Sequence, residues 1–470
     1  MACEDKPTLT ILFDRLVDAL LSMTSPQTAA FALQSVILIW LVLTVGSSVV
    51  ASLIMIPQSK RRSERLVTDW PSVGVVVPCF MPNEHEIIRE TVELVANSTY
   101  SGELTIHIPY NGGAPDANFT LPAEINGRSV LHYSVDGSTS KAANINQALK
   151  KLDESVLIVA IFDADHHVAY DTVEQLVRVL VNRSTKCVCV QGSVLPLRGG
   201  DEWRVCWLKW LVVGMEFVGC RFYIPGVALL TGSAWFAGAN AAWRRKDLEE
   251  LSLSIDAVTE DIEISLRTML DGRRILIAPW VVVEELCPPS LSIFVRQRLR
   301  WALGWEQASL KHVVGVLKKR KRLLVVLLSR YINIAAGLFA FINLITRSLD
   351  FVNERRNPNA LPVMLLTSAA GYTGAAALLC VTIVSITDGE GVRRLLQIFS
   401  FMALAPVFVC WQIFTVLSAW ATLLCFPIQW IPTTRRRGAT VHRIAMPKAV
   451  PGRALRMRVR HRRLATAEEA

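Results

Sequence analysis

The chain has 470 residues, of which 52% are hydrophobic, and its formal net charge is +10. The hydrophobic fraction exceeds what a soluble protein usually carries, and the length allows two or three domains, or one large domain with membrane spans. Lysine and arginine cluster at residues 318–322 and 435–463. This clustering beside apolar segments favours anionic lipid, and not nucleic acid, as the partner.

The first predicted element is a transmembrane helix in residues 28–57, a stretch with no charged residue. Lys60, Arg61 and Arg62 follow it, so the positive-inside rule predicts that the chain continues in the cytoplasm, at the plasma (inner) membrane. A cleaved signal peptide is the alternative. It is disfavoured because the apolar run starts late and lacks a small-residue cleavage site.

Residues 70–279 alternate short β-branched runs with helical stretches. The patterns predict strands at residues 73–77, 104–108, 156–162 and 187–191, and helices at residues 84–96 and 141–152. Such alternation predicts an α/β domain with a mostly parallel sheet covered by helices on both faces. Ligands of open α/β sheets bind beyond the carboxyl ends of the strands, where the polar motifs of this segment lie.

Two carboxylates, Asp163 and Asp165, follow the predicted strand at residues 156–162. Residues two apart emerge on the same side of an extended chain, and paired hard oxygen ligands suit Mg²⁺ or Mn²⁺ bridging a diphosphate. A surface turn is the alternative interpretation. His166 and His167 have no third ligand at zinc spacing, so they are expected to shape the cleft.

Asp261 ends a Thr-Glu-Asp triplet before a predicted helix at residues 262–270. A carboxylate in this position can cap the helix. The functional alternative is a general base that removes a proton from an acceptor hydroxyl. That role is the one still missing for group transfer once Asp163 and Asp165 hold the metal and the diphosphate.

Two further motifs precede Asp261. Lys141 and Asn144 stand at the start of a predicted helix, where phosphate binds well, although a solvated lysine is an equal alternative. Gly238 and Asn240 indicate either a close approach of the backbone to a sugar or a tight turn.

Aromatic residues mark two stretches near the predicted membrane surface. Residues 203–239 are interrupted by charges and are interpreted as an amphipathic element instead of a span. Gln297, Arg300 and Trp301, within residues 290–308, fall on one helical face. An arginine there can bind diphosphate oxygens, and an indole can stack on a sugar ring, although an interface anchor would look the same.

Three apolar blocks follow, at residues 323–345, 361–386 and 395–430. The tail from residue 435 is basic and expected in the cytoplasm, which requires an even number of crossings after the α/β domain. We therefore expect the third block to be split near Pro406, or one of the three blocks not to cross the membrane.

Taken together, the motifs resemble those of processive membrane glycosyltransferases of family 2, the group of cellulose, chitin and hyaluronan synthases. The resemblance covers residues 73–305 and rests on Pro78 to Glu84, Ser140 to Asn144, Asp163-Ala-Asp165, Gly238-Ala-Asn240, Thr259-Glu-Asp261 and the Gln-x-x-Arg-Trp pattern of Gln297 to Trp301. Many members carry an Asp-Asp-Gly-Ser segment after the second strand. Here Asn111 occupies that region and is expected to substitute in binding the base.

The resemblance implies a GT-A type domain at residues 70–289, inserted between a membrane-anchored region at residues 1–69 and interfacial helices at residues 290–322, with a transmembrane region at 323–434 and a cytoplasmic tail at 435–470. It implies a nucleotide-diphosphate sugar donor, Mg²⁺ or Mn²⁺, and inversion at the anomeric carbon.

The implied residue roles are these. Asp261 is the catalytic base, and Asp163 and Asp165 bind the metal. The donor, expected to be a UDP-sugar, is bound by Glu84, Asn111, Lys141, Asp163 and Arg300. The acceptor is bound by Gly238, Asn240, Glu260, Gln297 and Trp301.

The predicted function is extension of a β-linked polysaccharide and its export through the adjacent helices. A homo-oligomer or a partner protein would complete the channel where the spans of one chain do not suffice. Transfer of one sugar to a lipid or an oligosaccharide is the enzymatic alternative. A membrane scaffold or transporter that binds nucleotide without catalysis is the alternative of another class.

Overall fold

The computed structural model describes residues 39, 43–44, 46–63, 67–113, 121–199, 203–332, 334 and 405–425. Within these residues the strands are β1 Val73–Val76, β2 Cys79–Phe80, β3 Leu104–Asn111, β4 Glu124–Ile125, β5 Arg128–Ser134, β6 Ile158–Ile161, β7 Cys187–Arg198, β8 Ala241–Arg244 and β9 Arg274–Leu286. The α-helices with defined bounds are α1 Ile56–Ser63, α2 Met81–Glu84, α3 Ile88–Ala96, α4 Lys141–Lys151, α5 Thr172–Val181, α6 Trp203–Val218, α7 Ile224–Thr231, α8 Arg245–Leu251, α9 Glu260–Leu270, α10 Leu291–Lys319 and α11 Ala405–Cys425. Short π-helical turns at Ala51–Met55 and Gly219–Tyr223 precede α1 and α7.

The strands form one mixed sheet in the order β4-β5-β3-β1-β6-β8-β7-β9, with β2 paired to β3. Strands β5, β3, β1 and β6 are parallel neighbours, whereas β8 runs antiparallel between β6 and β7. Val75 at the centre pairs with Ile106 on one side and Ala160 on the other. The prediction of an α/β domain with a mostly parallel sheet is confirmed.

The central strands β1 and β6 are buried on both faces, because side chains alternate along each strand and helices cover each side. Ile158 and Ala160 of β6 face the core that contains α3 and α5, while Val159 and Ile161 face the core that contains α4 and α8. Parallel strands buried on both faces read as continuous apolar runs, which is why the sequence revealed them.

Several elements depart from the sequence expectations. The helix predicted at residues 84–96 is two helices, α2 and α3, interrupted at residues 85–87. The strand predicted at residues 187–191 continues to Arg198, because β7 pairs along its length with β9. Strands β2, β4, β5, β8 and β9 were not predicted. Strand β8 has four residues and forms by pairing with β6 and β7.

Within the described residues, one helix, Trp207–Thr231, is long and apolar enough to cross a membrane, and about half of it is buried inside the protein. The sequence had indicated an interfacial element in this segment. Gly46–Gln58 and Trp411–Cys425 form shorter apolar helices. Most of residues 28–45, the predicted span at 361–386 and the basic tail from 435 lie outside the described residues.

Candidate active site

A cavity of about 700 Å³ opens at the carboxyl ends of β1, β3 and β6 and is closed on its other side by α9 and α10. Most of the site residues singled out in the sequence line this cavity: Glu84, Asn111, Lys141, Asp163, Gly238, Glu260, Asp261, Gln297, Arg300 and Trp301. Asp165 and Asn240 do not belong to its lining. The fold therefore brings motifs separated by more than 200 residues in sequence to one site.

Lys141 and Asp163 meet at the floor of the cavity. Lys141 is the first residue of α4, whose start is capped by Ser140 accepting a hydrogen bond from the Ala143 N–H (3.2 Å). Its Nζ donates to Asp163, two residues beyond the end of β6. Burial disfavours the charged lysine, but the carboxylates of Asp163, Glu260 and Asp261 outweigh burial and raise the pKa of Lys141.

Asp163, Asp165 and His166 offer ligand atoms that all lie within 4.8 Å of one another. Asp165 is buried, and its Oδ2 accepts a hydrogen bond from the Leu286 N–H (3.2 Å). His166 is fully buried, and its Nε2 lies 3.9 Å from Asp163 Oδ2. Two carboxylates and an imidazole form a donor set that suits Mn²⁺ or a similar divalent ion.

His166 is thus a candidate ligand that sequence reasoning assigned only to shaping the cleft. The signal was its place directly after Asp165, which was discounted because no third ligand at zinc spacing was visible. His167 instead pairs through its backbone with Glu284 of β9.

Asp261 lies in the first turn of α9 and lines the opposite wall. Its Oδ1 accepts a hydrogen bond from the Ile262 N–H (2.8 Å). Burial, followed by the charge of Glu260, raises the pKa of Asp261 to about 7, and Lys141 and Arg300 reduce the shift. A carboxylate with a pKa near neutrality can accept and release protons at physiological pH.

Gly238 and Asn240 take different positions. Gly238 has a φ of 90°, and a Cβ there would lie 3.3 Å from Asp261 Oδ2 and 3.7 Å from Lys141 Nζ. Asn240 is fully buried, and its Nδ2 donates to the carbonyls of Ser193 (2.9 Å) and Val281 (3.0 Å). Gly238 therefore lets the backbone approach the site, whereas the Asn240 side chain links β7 to β9.

The Asn111 side chain is held in place at the end of β3. Its Nδ2 donates to the Ser138 carbonyl (3.0 Å), and its Oδ1 accepts from Asn144 Nδ2 (3.1 Å). Nearby, a Glu84 oxygen accepts from the Phe80 N–H (2.8 Å). This end of the cavity is preorganised by hydrogen bonds from β3 to α4 and the loop before it, and by the local bond between Phe80 and Glu84.

Gln297, Arg300 and Trp301 lie along the first half of α10. Gln297 is buried, whereas 36% of Trp301 is exposed, leaving its ring able to meet a ligand. The intervening Arg298 pairs with Glu216 (2.7 Å), and its guanidinium lies 4.2 Å from the centre of the Trp301 ring. Arg298 thereby fixes the orientation of the indole, a role that the sequence pattern did not reveal.

The cavity continues past Trp301 to residues that sequence reasoning did not select. Its far end is lined by Ser329, Arg330, Ile334, Trp411, Gln412 and Thr415. Arg330 donates to Thr415 Oγ1 (3.0 Å) and lies 3.5 Å from a Glu306 oxygen. The site therefore extends from the α/β domain to the segment after α10 and to α11.

Residues 71–304 match the family described as "Glycosyltransferase like family 2". Among curated proteins, the chain is 31% identical over 247 residues to a cellulose synthase catalytic subunit (UDP-forming) of Xanthomonas axonopodis pv. citri, covering 51% of this chain and 32% of that protein. It is 25% identical over 277 residues to a probable glycosyltransferase of Bacillus subtilis, covering 56% and 63%. It is 24% identical over 255 residues to a beta-monoglucosyldiacylglycerol synthase of Trichormus variabilis, covering 53% and 52%.

The chain thus spans between about a third and just under two thirds of the length of these relatives. Among solved structures, a mannosyltransferase from Pyrobaculum calidifontis in complex with GDP-Man and Mn²⁺ aligns with a TM-score of 0.41 and 17% identity. That alignment covers 84% of this chain and 99% of the mannosyltransferase.

Proposed function

We propose that this chain, an enzyme whose residues 71–304 form a family 2 glycosyltransferase domain, extends a β-linked polysaccharide from a nucleotide-diphosphate sugar and exports it across the membrane. The observation that carries the proposal is the single cavity shared by Asp163, Asp261 and Trp301, which continues to the segment after α10 and to α11.

The donor occupies the half of the cavity next to the sheet. Asn111 and Glu84 face the nucleoside, while Lys141 and Arg300 face the diphosphate. Asp163, Asp165 and His166 hold Mg²⁺ or Mn²⁺, which when bound neutralises charge on the departing diphosphate. The cation of Lys141 lies on the same floor and adds to this stabilisation.

Asp261 acts as the general base. Its carboxylate takes the proton of an acceptor hydroxyl, whose oxygen forms a bond to the anomeric carbon of the donor sugar. The bond between that carbon and the diphosphate oxygen breaks on the opposite side, and the nucleoside diphosphate leaves with the electron pair. Attack from the side opposite the leaving group inverts the anomeric centre.

The acceptor occupies the half next to α10. Trp301 offers a ring face to a sugar, and Gln297 and Glu260 offer hydrogen bonds. Trp305 and Trp411 extend the aromatic lining beyond Trp301, which supports an acceptor longer than one sugar. We place the α/β domain in the cytoplasm at the inner membrane, with a homo-oligomer or a partner protein completing the channel where one chain does not.

A second candidate is transfer of a single sugar to a lipid. It is favoured by the match to a protein named as a beta-monoglucosyldiacylglycerol synthase, which acts on a lipid by its name. The same cavity can accept a lipid hydroxyl beside Asp261, so the length of the product separates the two functions.

Purified membranes that contain the full chain, supplied with Mn²⁺ and radiolabelled UDP- or GDP-sugars, test the proposal. A ladder of long glycans is expected with one donor, and it should be absent with the Asp261→Asn variant. A product with one added sugar in the lipid phase would replace the polysaccharide assignment with the second candidate. If correctly folded protein consumes no sugar nucleotide, both candidate functions are overturned.

A further inference from the structure

One face of α10 connects the acceptor end of the cavity to the loop that precedes α9. Spacings of three or four residues place five positions of α10 on a common helical face: Gln297, Arg300, Gly304, Gln307 and Lys311. Gln297 and Arg300 line the cavity. The three residues that follow contact the loop and the first turns of α9.

Gln307 binds the backbone of this loop through both atoms of its amide. Its Oε1 accepts from the Val258 N–H (2.9 Å), and its Nε2 donates to the Asp256 carbonyl (3.2 Å). These backbone groups lie three and five residues before Asp261. These two main-chain groups lie in a segment that is neither helix nor strand, and the Gln307 side chain provides their hydrogen-bond partners.

Gly304 brings the loop against the helix backbone. A Cβ at this position would lie 2.2 Å from Thr259 Oγ1 and 2.5 Å from Thr259 Cγ2, so only glycine admits the Thr259 side chain. Thr259 is the N-cap residue, immediately before α9. Contact with α10 thus fixes the helix start that carries Asp261.

The next turn of each helix adds a buried ionic contact. Glu263 of α9 accepts from Lys311 Nζ (2.8 Å) and His312 Nε2 (3.1 Å) of α10. Only 1% of the Glu263 side chain is exposed. Together with Gln307 and Gly304, this contact holds α9 in one register along α10.

We infer that Gln307 is a positioning residue, which sets the place of the Asp261 carboxylate relative to Gln297 and Arg300 by anchoring the loop at residues 256–258 to α10. The inference rests on the proposed role of Asp261 as the base. Asp261 faces Glu260 on its own helix, Lys141 of α4 and Arg300 of α10. Because α10 carries Gln297, Arg300 and the anchor, the helix sets the distance between these side chains and the base.

The Gln307→Ala variant of the full chain tests this role. A small misplacement of a catalytic group costs up to about 100-fold in rate, so we expect kcat to fall between about 10-fold and 100-fold while the donor KM changes less than about twofold. Gln307→Glu should recover part of the rate, because its carboxylate still accepts the Val258 N–H. Loosening of the loop also admits water to Asp261, so the acid limb of the pH profile should move to lower pH.

Asn146→Ala is the matched control. Asn146 of α4 makes the same pair of bonds to the backbone of Leu253, with distances of 2.7 and 3.0 Å, in the chain segment before the anchored loop. We expect it to lower the melting temperature as much as Gln307→Ala, without moving the acid limb. Equal kinetic effects of the two variants, or an unchanged limb in Gln307→Ala, would overturn the inference and assign Gln307 to general stability.

A measurement without turnover separates this inference from the proposed function. The pH at which the melting temperatures of the wild type and Asp261→Asn diverge reports the pKa of Asp261 directly. In the Gln307→Ala background this pH should be lower, and an unchanged value refutes the positioning role even in a preparation that transfers no sugar. Absence of transfer by the wild type refutes only the proposed function.

Discussion

The two walls of the cavity carry carboxylates with different electrostatic surroundings. Asp163, on the sheet side, is paired with the cation of Lys141 and stands beside Asp165 and His166. Asp261, on the helix side, is buried next to Glu260, and its pKa is raised to about 7. One wall therefore keeps negative charge ready for a cation, whereas the other keeps a carboxylate ready to exchange a proton.

The difference arises from local structure. Asp163 follows a parallel strand, at the sheet edge where the start of α4 delivers Lys141. Asp261 lies in the first turn of α9, but the neighbouring acidic side chain and the cover by α10 offset the benefit of the helix dipole. The same residue type thus acquires two chemical roles from its neighbours.

The largest effect is expected from removal of the base. Asp261→Asn should lower kcat by at least about 100-fold, because an amide cannot accept the proton of the acceptor hydroxyl. Radiolabel transfer from the donor at saturating concentration measures the change. A variant with wild-type kcat would show that the proton leaves by another route.

The same variant should gain stability above neutral pH. Since the pKa of Asp261 is raised in the folded state, the stabilisation linked to its protonated form is present at low pH and is lost as the pH rises from about 4 through about 7. Asp261→Asn avoids the buried charge at pH 8. Its melting temperature should exceed that of the wild type there, and the difference should shrink at pH 5.

A smaller effect is expected on the other wall. Asp163→Asn removes a hard oxygen ligand and the anionic partner of Lys141, so the Mn²⁺ concentration for half-maximal activity should rise about 10-fold or more. Titration calorimetry with Mn²⁺ checks the affinity without turnover. Asp171→Asn is the control, because Asp171 lies outside the cavity lining. Equal Mn²⁺ affinity of the two variants would show that Asp163 is not a metal ligand.

Both walls left a local signal in the sequence. Asp163 follows a continuous apolar run whose end predicts a sheet edge, and the motif that ends in Asp261 precedes a recognisable helix. These local signals predicted four of the nine strands in the described residues, β1, β3, β6 and β7, and ten residues of a much larger cavity lining. The roles of the lining residues remain predictions that the experiments above address.

Other features depended on contacts between distant segments. Strand β8 forms because β6 and β7 flank it, and Gln307 matters because of a loop about 50 residues earlier. The far end of the cavity, at Trp411 and Gln412, also requires α11 to pack beside α10. No periodicity within a single segment encodes such contacts.

A change at Glu260 alters the proton affinity of Asp261 without removing the base. The charge of Glu260 is the second cause of the raised pKa of Asp261, after burial. In Glu260→Gln the pKa of Asp261 should fall, so the acid limb of kcat should move to lower pH and activity at pH 6 should increase relative to pH 8. If the acid limb stays in place, burial alone, and not the charge of Glu260, raises the pKa of Asp261.

The smallest kinetic effect is expected at Asn240, which the sequence motif had assigned to the acceptor. Its Nδ2 bonds to the Ser193 and Val281 carbonyls inside the sheet, so Asn240→Ala leaves two buried acceptors unpaired. This should lower the free energy of unfolding by about 1–3 kcal/mol, measured by denaturant titration.

Gly192→Ala is the companion to this variant, because a Cβ there would lie 2.3 Å from Asn240 Nδ2 and would displace the same side chain. Both variants should lose stability. In Asn240→Ala the acceptor KM of the folded enzyme should change less than about twofold, because the Asn240 amide links strands and does not line the cavity, whereas Gly192 does line it. An acceptor KM raised severalfold in Asn240→Ala, with stability unchanged, would return Asn240 to the acceptor wall. The Gly-Ala-Asn motif would then act as one unit, with Gly238 and Asn240 both on the side of Asp261.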